Sequence, residues 1–464
     1  MGRNPVQRIL IDVESKAATL QRLESLLEGD LDFHDQDSSY ASHNFHAFPA
    51  KFPPQLPRKF ISALTEPGDV VLDPMMGSGT TVVEALLAGR QAVGFDIDPL
   101  AILLTRVKVA HLDSAEIDRV GHSILERATE AVKNGDALAS LAAARWDGRT
   151  RQFIDYWFAR ETQIELAALV AEIERIPDAK LREFFQVVFS SIIITKSGGV
   201  SLAFDLAHTR PHRAKVVRTK SGEILLGHDL ATSKSRRVKL LSKTLRSPLE
   251  EFEKRLDRNR SSLLDYIADG YPPDIRLGDA QQLPIEDDSV DLIVTSPPYI
   301  SNAIDYMRAH KFSLVWLGYS IEALGRKRKE YIGGEATVDT AFVDLPDAAA
   351  QVVASIAQQD KKKGQVVHRY YSEMTRVLRE MHRVLKPGSA AIVVVGTSII
   401  RGIDTQVDAC LAEIGRSIGF DVPKIGVRHL DRNRRMLPAG AERNPESQIQ
   451  QRMHEEYVLG FCKP

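Results

Sequence analysis

Short apolar runs alternate with amphipathic stretches in two separated parts of the chain. Val70 to Asp73 is a four-residue run rich in β-branched side chains, closed by a turn that contains Pro74, Gly77 and Gly79. Thr80 to Ala88 has helical composition and stops at Gly89, and Ala92 to Ile97 reads as a second buried strand. Strand, glycine turn, helix and strand in that order predict a parallel pair. From about Ala101 to Asp265 the chain is mostly helical or polar, with no convincing pair of buried strands. The pattern resumes at Ile275 to Asp279 and at Asp291 to Thr295. An amphipathic helix over Tyr370 to Leu385 leads through Lys386-Pro387-Gly388 into a strand at Ala390 to Val395. A helix at Val407 to Ile418 follows, then two late strands, Lys424 to His429 and Glu456 to Phe461, which can pair antiparallel at one end of the sheet. The connection of about 165 residues in the middle is too long for a loop and predicts an inserted domain.

Composition narrows the classes. The 464 residues are 43% hydrophobic, enough for a sizeable core, so wholesale disorder is excluded. With 61 basic against 62 acidic side chains, the chain is no uniformly basic coat, but a local basic patch is permitted. One exists: Arg210 to Arg246 holds eleven Lys/Arg, including Arg213, Arg236, Arg237 and Lys239, against only Glu223 and Asp229. It reads either as a solvated loop or as a phosphate-contacting surface. The segment Arg428 to Arg435, which includes Arg434 and Arg435, is read together with Arg443 as facing phosphate, the alternative being a solvated hairpin end. Two cysteines, Cys410 and Cys462, cannot make a disulfide framework and read as core residues of a protein in a reducing compartment. No apolar run approaches the length of a membrane span and no signal peptide is evident at the start, which predicts a cytoplasmic protein without membrane contact. His43 and His46 have no completing ligands nearby, so no metal site is expected.

Two segments carry candidate chemistry. The first is Asp73-Pro74-Met75-Met76-Gly77-Ser78-Gly79-Thr80-Thr81, where a strand must turn sharply into a helix. Glycines there permit positive φ and close approach of backbone to a ligand, and the carboxyl edge of such a sheet is where a nucleotide-like cofactor lies. Asp96 ends the second strand, nineteen residues after Gly77, and its carboxylate can accept from both ribose hydroxyls; Asp98 is the alternative. The turn has neither the dinucleotide pattern nor a Gly-Lys-Ser/Thr, which argues against NAD and ATP. The second segment is Ser296-Pro297-Pro298-Tyr299 at the end of a strand. Two prolines fix φ and remove two donors, leaving carbonyls and the Ser296 hydroxyl as a rigid set of acceptors beside an aromatic face. Such a site suits a flat ring bearing an exocyclic amine.

The two segments together resemble the amino-directed S-adenosylmethionine-dependent DNA methyltransferases, over roughly residues 40–110 and 270–462. The glycine turn is similar to that family's cofactor motif, and Ser-Pro-Pro-Tyr to its catalytic motif, in the form typical of cytosine-N4 enzymes. His46 to Pro54, with Lys51 and Phe52, looks like the family's segment covering the methionine part of the cofactor, and Asp279 falls where an acid meets the adenine amine. The resemblance implies an α/β fold: a Rossmann-like class I methyltransferase sheet, mostly parallel with an antiparallel C-terminal hairpin, plus a largely helical inserted domain. It implies an N-terminal extension (1–40), a cofactor-binding half (41–110), an insertion for target recognition (111–270) and a catalytic half (271–464). Asp73, Pro74, Gly77, Gly79, Thr80, Thr81 and Asp96 would hold S-adenosylmethionine, while Ser296, Pro297, Pro298 and Tyr299 would present the N4 amine of a cytosine flipped from double-stranded DNA. A cognate restriction endonuclease is the partner such enzymes imply. Methylation of adenine N6 or of RNA, and a silent DNA-binding subunit, are the competing readings.

Overall fold

A computed structural model describes residues 5–464 except positions 50, 136–137, 139–143, 196, 207–210, 234, 236–237, 239–240, 264–270, 301–304, 339, 397 and 431–454, with side chains from residue 17 onward. Seven strands form the main sheet: β1 (Val70–Asp73), β2 (Gln91–Asp96), β3 (Asp274–Leu277), β4 (Val290–Thr295), β5 (Leu385–Gly396), β6 (Ile425–His429) and β7 (Glu455–Cys462). Their order is β6-β7-β5-β4-β1-β2-β3. Pairing is parallel from β5 to β3, and β7 runs antiparallel to both β5 and β6. The expected mostly parallel sheet with an antiparallel late pair is therefore present.

Both faces are covered, as a parallel sheet requires. Alternate residues of β5 supply the two cores: Ala390, Ile392 and Val394 face one side, Ala391, Val393 and Val395 the other. On the first side lie α1 (Pro5–Glu28), α2 (Gln55–Leu64) and α3 (Thr80–Leu87). The chain before residue 40 thus supplies part of the sheet's cover, with Leu23 and Leu27 lying so close to Gly460 of β7 that a Cβ there would sit 2.7–3.0 Å from their methyls. α4 (Pro99–Lys108) follows β2 and shares itself between this core and the insertion, Ile102 facing the first and Leu100 and Leu104 the second.

The insertion is built on α5 (Ser114–Val132), α6 (Gly148–Trp157), α7 (Arg160–Glu174), α8 (Ala179–Ile193) and α9 (Pro248–Arg260). It is not purely helical: five strands of two or three residues make two small sheets between Ala203 and Thr244. Runs that short carry no readable period, which is why the pattern along the chain did not reveal them. Two helices after the second motif, α10 (Tyr306–Leu314) and α11 (Ile321–Glu330), also pack into the insertion's core through Phe312, Trp316 and Leu324. The second face of the sheet is covered by α12 (Asp347–Gln359), α13 (Lys361–Val384) and α14 (Val407–Ile418). Cys410 and Cys462 are both buried. Among the described residues no helix is long and apolar enough to cross a membrane.

Candidate active site

β1 and β4 are neighbours in the sheet, with Val71 opposite Leu292 and Leu72 opposite Ile293. Their tips therefore bring the two motif segments side by side at the carboxyl edge. A direct hydrogen bond joins them: the Thr295 hydroxyl donates to Asp73 Oδ1 at 2.7 Å. Behind them, the Thr81 hydroxyl donates to the Val294 carbonyl at 3.1 Å, tying α3 to β4.

One cleft of about 840 Å3, partly open to solvent, is lined from both segments. Asp73, Pro74, Gly77, Thr80 and Asp96 come from the first, Ser296 and Pro298 from the second. Lys51 and Phe52 close one side and Asp279 another. Gly79 and Thr81 are not on the wall; they shape the turn from behind. Pro297 and Tyr299 are not on the wall either. The wall also includes Asp98, the alternative to Asp96 for the ribose role, and residues to which the sequence assigned no place in the site. Asp98 stands beside Asp96, Phe48 precedes Lys51, Tyr306 opens α10, and Tyr331-Ile332 follow α11. The basic run Arg326-Lys327-Arg328-Lys329, passed over in the sequence, ends α11 just before Tyr331.

The turn is held in shape by backbone amides on carboxylates. Gly77 and Gly79 have φ of 50° and 74°. Asp96 Oδ2 accepts from the Gly77 amide and Oδ1 from the Asp98 amide, each at 2.8 Å. Burial and the adjacent Asp98 carboxylate push the Asp96 carboxyl up to about 7, against these two bonds. Asp73 is pushed up to about 6 by burial, opposed by the Thr295 and Met75 hydrogen bonds. Asp98 goes the other way: burial raises it, but His310 outweighs burial and holds it below the usual value. Its Oδ2 meets His310 Nδ1 at 2.5 Å while Oδ1 caps α4 at the Leu100 amide. Under the turn, Lys108 is wholly buried and donates to the Ser78 carbonyl at 2.6 Å; burial holds its ammonium well below the usual range.

Gly79 has a steric requirement as well as a positive φ. A Cβ there would lie 2.5–2.6 Å from the Thr105 side chain. Gly79→Ala is expected to destabilise the protein by about 2–4 kcal/mol, from left-handed strain plus overpacking, read as a lower urea midpoint with unchanged slope.

In the second segment, the Ser296 hydroxyl donates to the Val394 carbonyl at 3.0 Å. A carbonyl can only accept, so this bond fixes the hydroxyl proton and leaves the Ser296 oxygen as an acceptor. The Tyr299 hydroxyl donates to Glu456 Oε1 at 2.9 Å. Downstream of the second segment, Trp316 packs edge-on against Trp146 and Phe158, and His310 orients a carboxylate of the cleft wall.

The basic stretch is partly corrected. Arg210, Arg236, Arg237 and Lys239 lie outside the described residues, as do Arg434, Arg435 and Arg443. Lys243 is not a surface cation: its ammonium lies within 3.3 Å of the carbonyls of Ser197, Gly199, Ser201 and Ala203, and burial pushes it down to about 7. Lys220 and Arg246 pair with Glu250 and Glu251 of α9, acids beyond the stretch itself. Arg213 lies over the half-exposed Tyr156 ring at 4.4 Å. Arg428, expected near phosphate, is buried in an ion pair with Glu456.

A family model described as DNA methylase, of the N6/N4 methyltransferase type, matches residues 30–105. Type II methyltransferase M.MvaI of Kocuria varians is 23% identical over 434 residues, covering 88% of this chain and 87% of its own. Type II methyltransferase M.BsoBI of Geobacillus stearothermophilus is 22% identical over 84% of this chain and 81% of its own. A solved SAM-dependent methyltransferase of Methanosarcina mazei aligns over 87% of this chain and 96% of its own at 11% identity, with a TM-score of 0.29 that carries no weight here. The two motifs thus meet in one cleft of a chain that is similar over most of its length to type II DNA methyltransferases and, over residues 30–105, to the N6/N4 DNA methylase family.

Proposed function

We propose that this protein transfers the methyl group of S-adenosylmethionine to the exocyclic N4 amine of a cytosine flipped out of specific sites in double-stranded DNA. The observation that carries the reading is the shared cleft, in which Ser296 and Pro298 face the wall formed by Asp73, Gly77 and Asp96. The cleft residues suit the cofactor: Asp96 offers a buried carboxylate to ribose hydroxyls, Phe48, Ile97, Ala280 and Ile332 offer apolar walls, and Asp279 offers an acceptor to an adenine amine. When bound, S-adenosylmethionine supplies an electrophilic methyl on its sulfonium, which the amine attacks in line.

The chain's own part is positioning and electrostatics. The cytosine amine is a poor nucleophile because its lone pair is delocalised into the ring. Ser296 Oγ, with its proton committed to Val394, accepts one N4 hydrogen, and the Pro297 carbonyl accepts the other. That grip favours a tetrahedral nitrogen and stabilises the positive charge that develops on it. A hydroxyl is too weak a base to take the proton, so the proton leaves to solvent after transfer. The serine form of the motif supports cytosine over adenine. Tyr299 stacks on the extruded base, contributing about 1–3 kcal/mol.

DNA phosphates are met by Arg213, by the sequence-assigned Arg210, Arg236, Arg237, Lys239, Arg434 and Arg435, and by the exposed Arg326 of α11. Because the relatives are named type II methyltransferases, a cognate restriction endonuclease belongs to the proposal. The test incubates the protein with tritiated S-adenosylmethionine and unmethylated DNA and identifies the modified nucleoside by mass spectrometry. N4-methylcytosine is the expected product; N6-methyladenine overturns the choice of base, and absence of transfer overturns the reaction.

A further inference from the structure

Tyr299 is half-buried, off the cleft wall, and its hydroxyl is spoken for. Glu456 Oε1 accepts that hydroxyl at 2.9 Å while Oε2 pairs with Arg428 Nη1 at 2.5 Å. Arg428 and Glu456 face each other directly across β6 and β7, and Glu456 also stands opposite Gly396 on β5. Both charged side chains are only 11% exposed. Removing two charges from water costs several kcal/mol per ion before their attraction offsets it. A phenol that needed only a partner could have used a backbone carbonyl without that cost. Here the antiparallel edge of the sheet delivers an ion pair to one atom of the catalytic motif. The register matters, because a one-residue slip of β7 would send Glu456 to the other face.

We propose that Glu456 and Arg428 are positioning residues for methyl transfer: Arg428 holds Glu456 in place, and Glu456 holds the Tyr299 hydroxyl, and with it the ring, in the position from which it stacks on the target base. This rests on the methylation reading given above. While Oε1 holds the hydroxyl, the ring cannot swing about the Cα–Cβ bond without breaking that bond, so the base meets a preformed platform rather than one ordered on binding.

The test uses the full chain with Tyr299→Phe, Glu456→Leu, Glu456→Gln and the Tyr299→Phe/Glu456→Leu double variant. Methyl transfer to unmethylated phage DNA gives kcat, and calorimetry gives the cofactor Kd. Tyr299→Phe and Glu456→Leu are each expected to lower kcat roughly tenfold with cofactor Kd unchanged, the double variant being no worse than either. Glu456→Gln, whose amide oxygen still accepts the phenol proton, retains most of kcat. Multiplying losses in the double variant, or a loss in Glu456→Gln as large as that in Glu456→Leu, overturns the proposal. No transfer by the unaltered chain overturns the methylation reading and this role with it, an outcome distinct from transfer with multiplying losses.

Discussion

Replacing Ser296 with Ala is expected to lower the single-turnover rate of methyl transfer by about 10²–10³, the range seen when one preorganised polar contact to a developing charge is removed. The loss should fall on chemistry. Ser296 lines the cleft, and its bond to the Val394 carbonyl at 3.0 Å means that it enters the proposed reaction only as an acceptor. Cofactor Kd should change by less than about twofold, since uniform binding is not what the hydroxyl supplies. Stability should fall by about 1 kcal/mol, because one carbonyl loses its donor. Rapid-quench measurement with tritiated cofactor, alongside calorimetry, separates these quantities. A collapse of cofactor affinity with an unchanged rate would mean that the roles of the two motif segments are divided wrongly.

Asp96→Ala is expected to act in the opposite way, raising cofactor Kd roughly 10²-fold or more, since hydrogen bonds to a charged acceptor contribute about 1.5–3 kcal/mol each. The pH dependence supplies an independent check. With its carboxyl pushed up to about 7, Asp96 becomes protonated just below neutrality and then loses acceptor capacity toward ribose. Affinity should therefore decline as pH falls through about 7, by roughly tenfold per unit once well below it, and the slope should vanish in Asp96→Asn. Stability of the ligand-free protein runs the other way. A carboxyl raised from 3.8 binds its proton more tightly folded than unfolded. Its stabilising contribution is fully present below about pH 4 and is lost as pH rises through about 7. Asp73, raised to about 6, adds to the same trend. Calorimetric titrations and melting curves from pH 5 to 8.5 should show these opposed slopes.

The legible parts of the molecule are those whose signal is local. Val70–Asp73 and Val407–Ile418 have the limits that their sequence predicts, because a β-branched run and an apolar stripe each declare themselves within a few residues. The late hairpin was legible for the same reason. Charge was where the chain misled. Arg428 and Lys243 look like surface cations in their runs, yet Glu456 lies 28 residues from the first and the carbonyls around the second lie 40–46 residues away. Asp98, set aside in favour of Asp96, proved to be on the same wall; its His310 partner is 212 residues distant. Tyr306 reaches the cleft from the start of α10 and Tyr331 and Ile332 from the turn after α11, segments with no motif of their own, and nothing in their neighbours announces it.

The hydrogen bond from Thr295 to Asp73 spans 222 residues, and it lies at the middle of the sheet rather than at its rim. Closing so long a span has a modest equilibrium cost, since the loop term grows only with the logarithm of length. Its effect is on time. At about 5–20 residues per second of synthesis, the apolar β1 edge leaves the ribosome roughly ten to forty seconds before β4 exists to cover it. During that interval the exposed strand is a template for wrong partners. Yield in a host should therefore rise with lower temperature or added chaperone, and refolding from urea should be slow and sensitive to protein concentration.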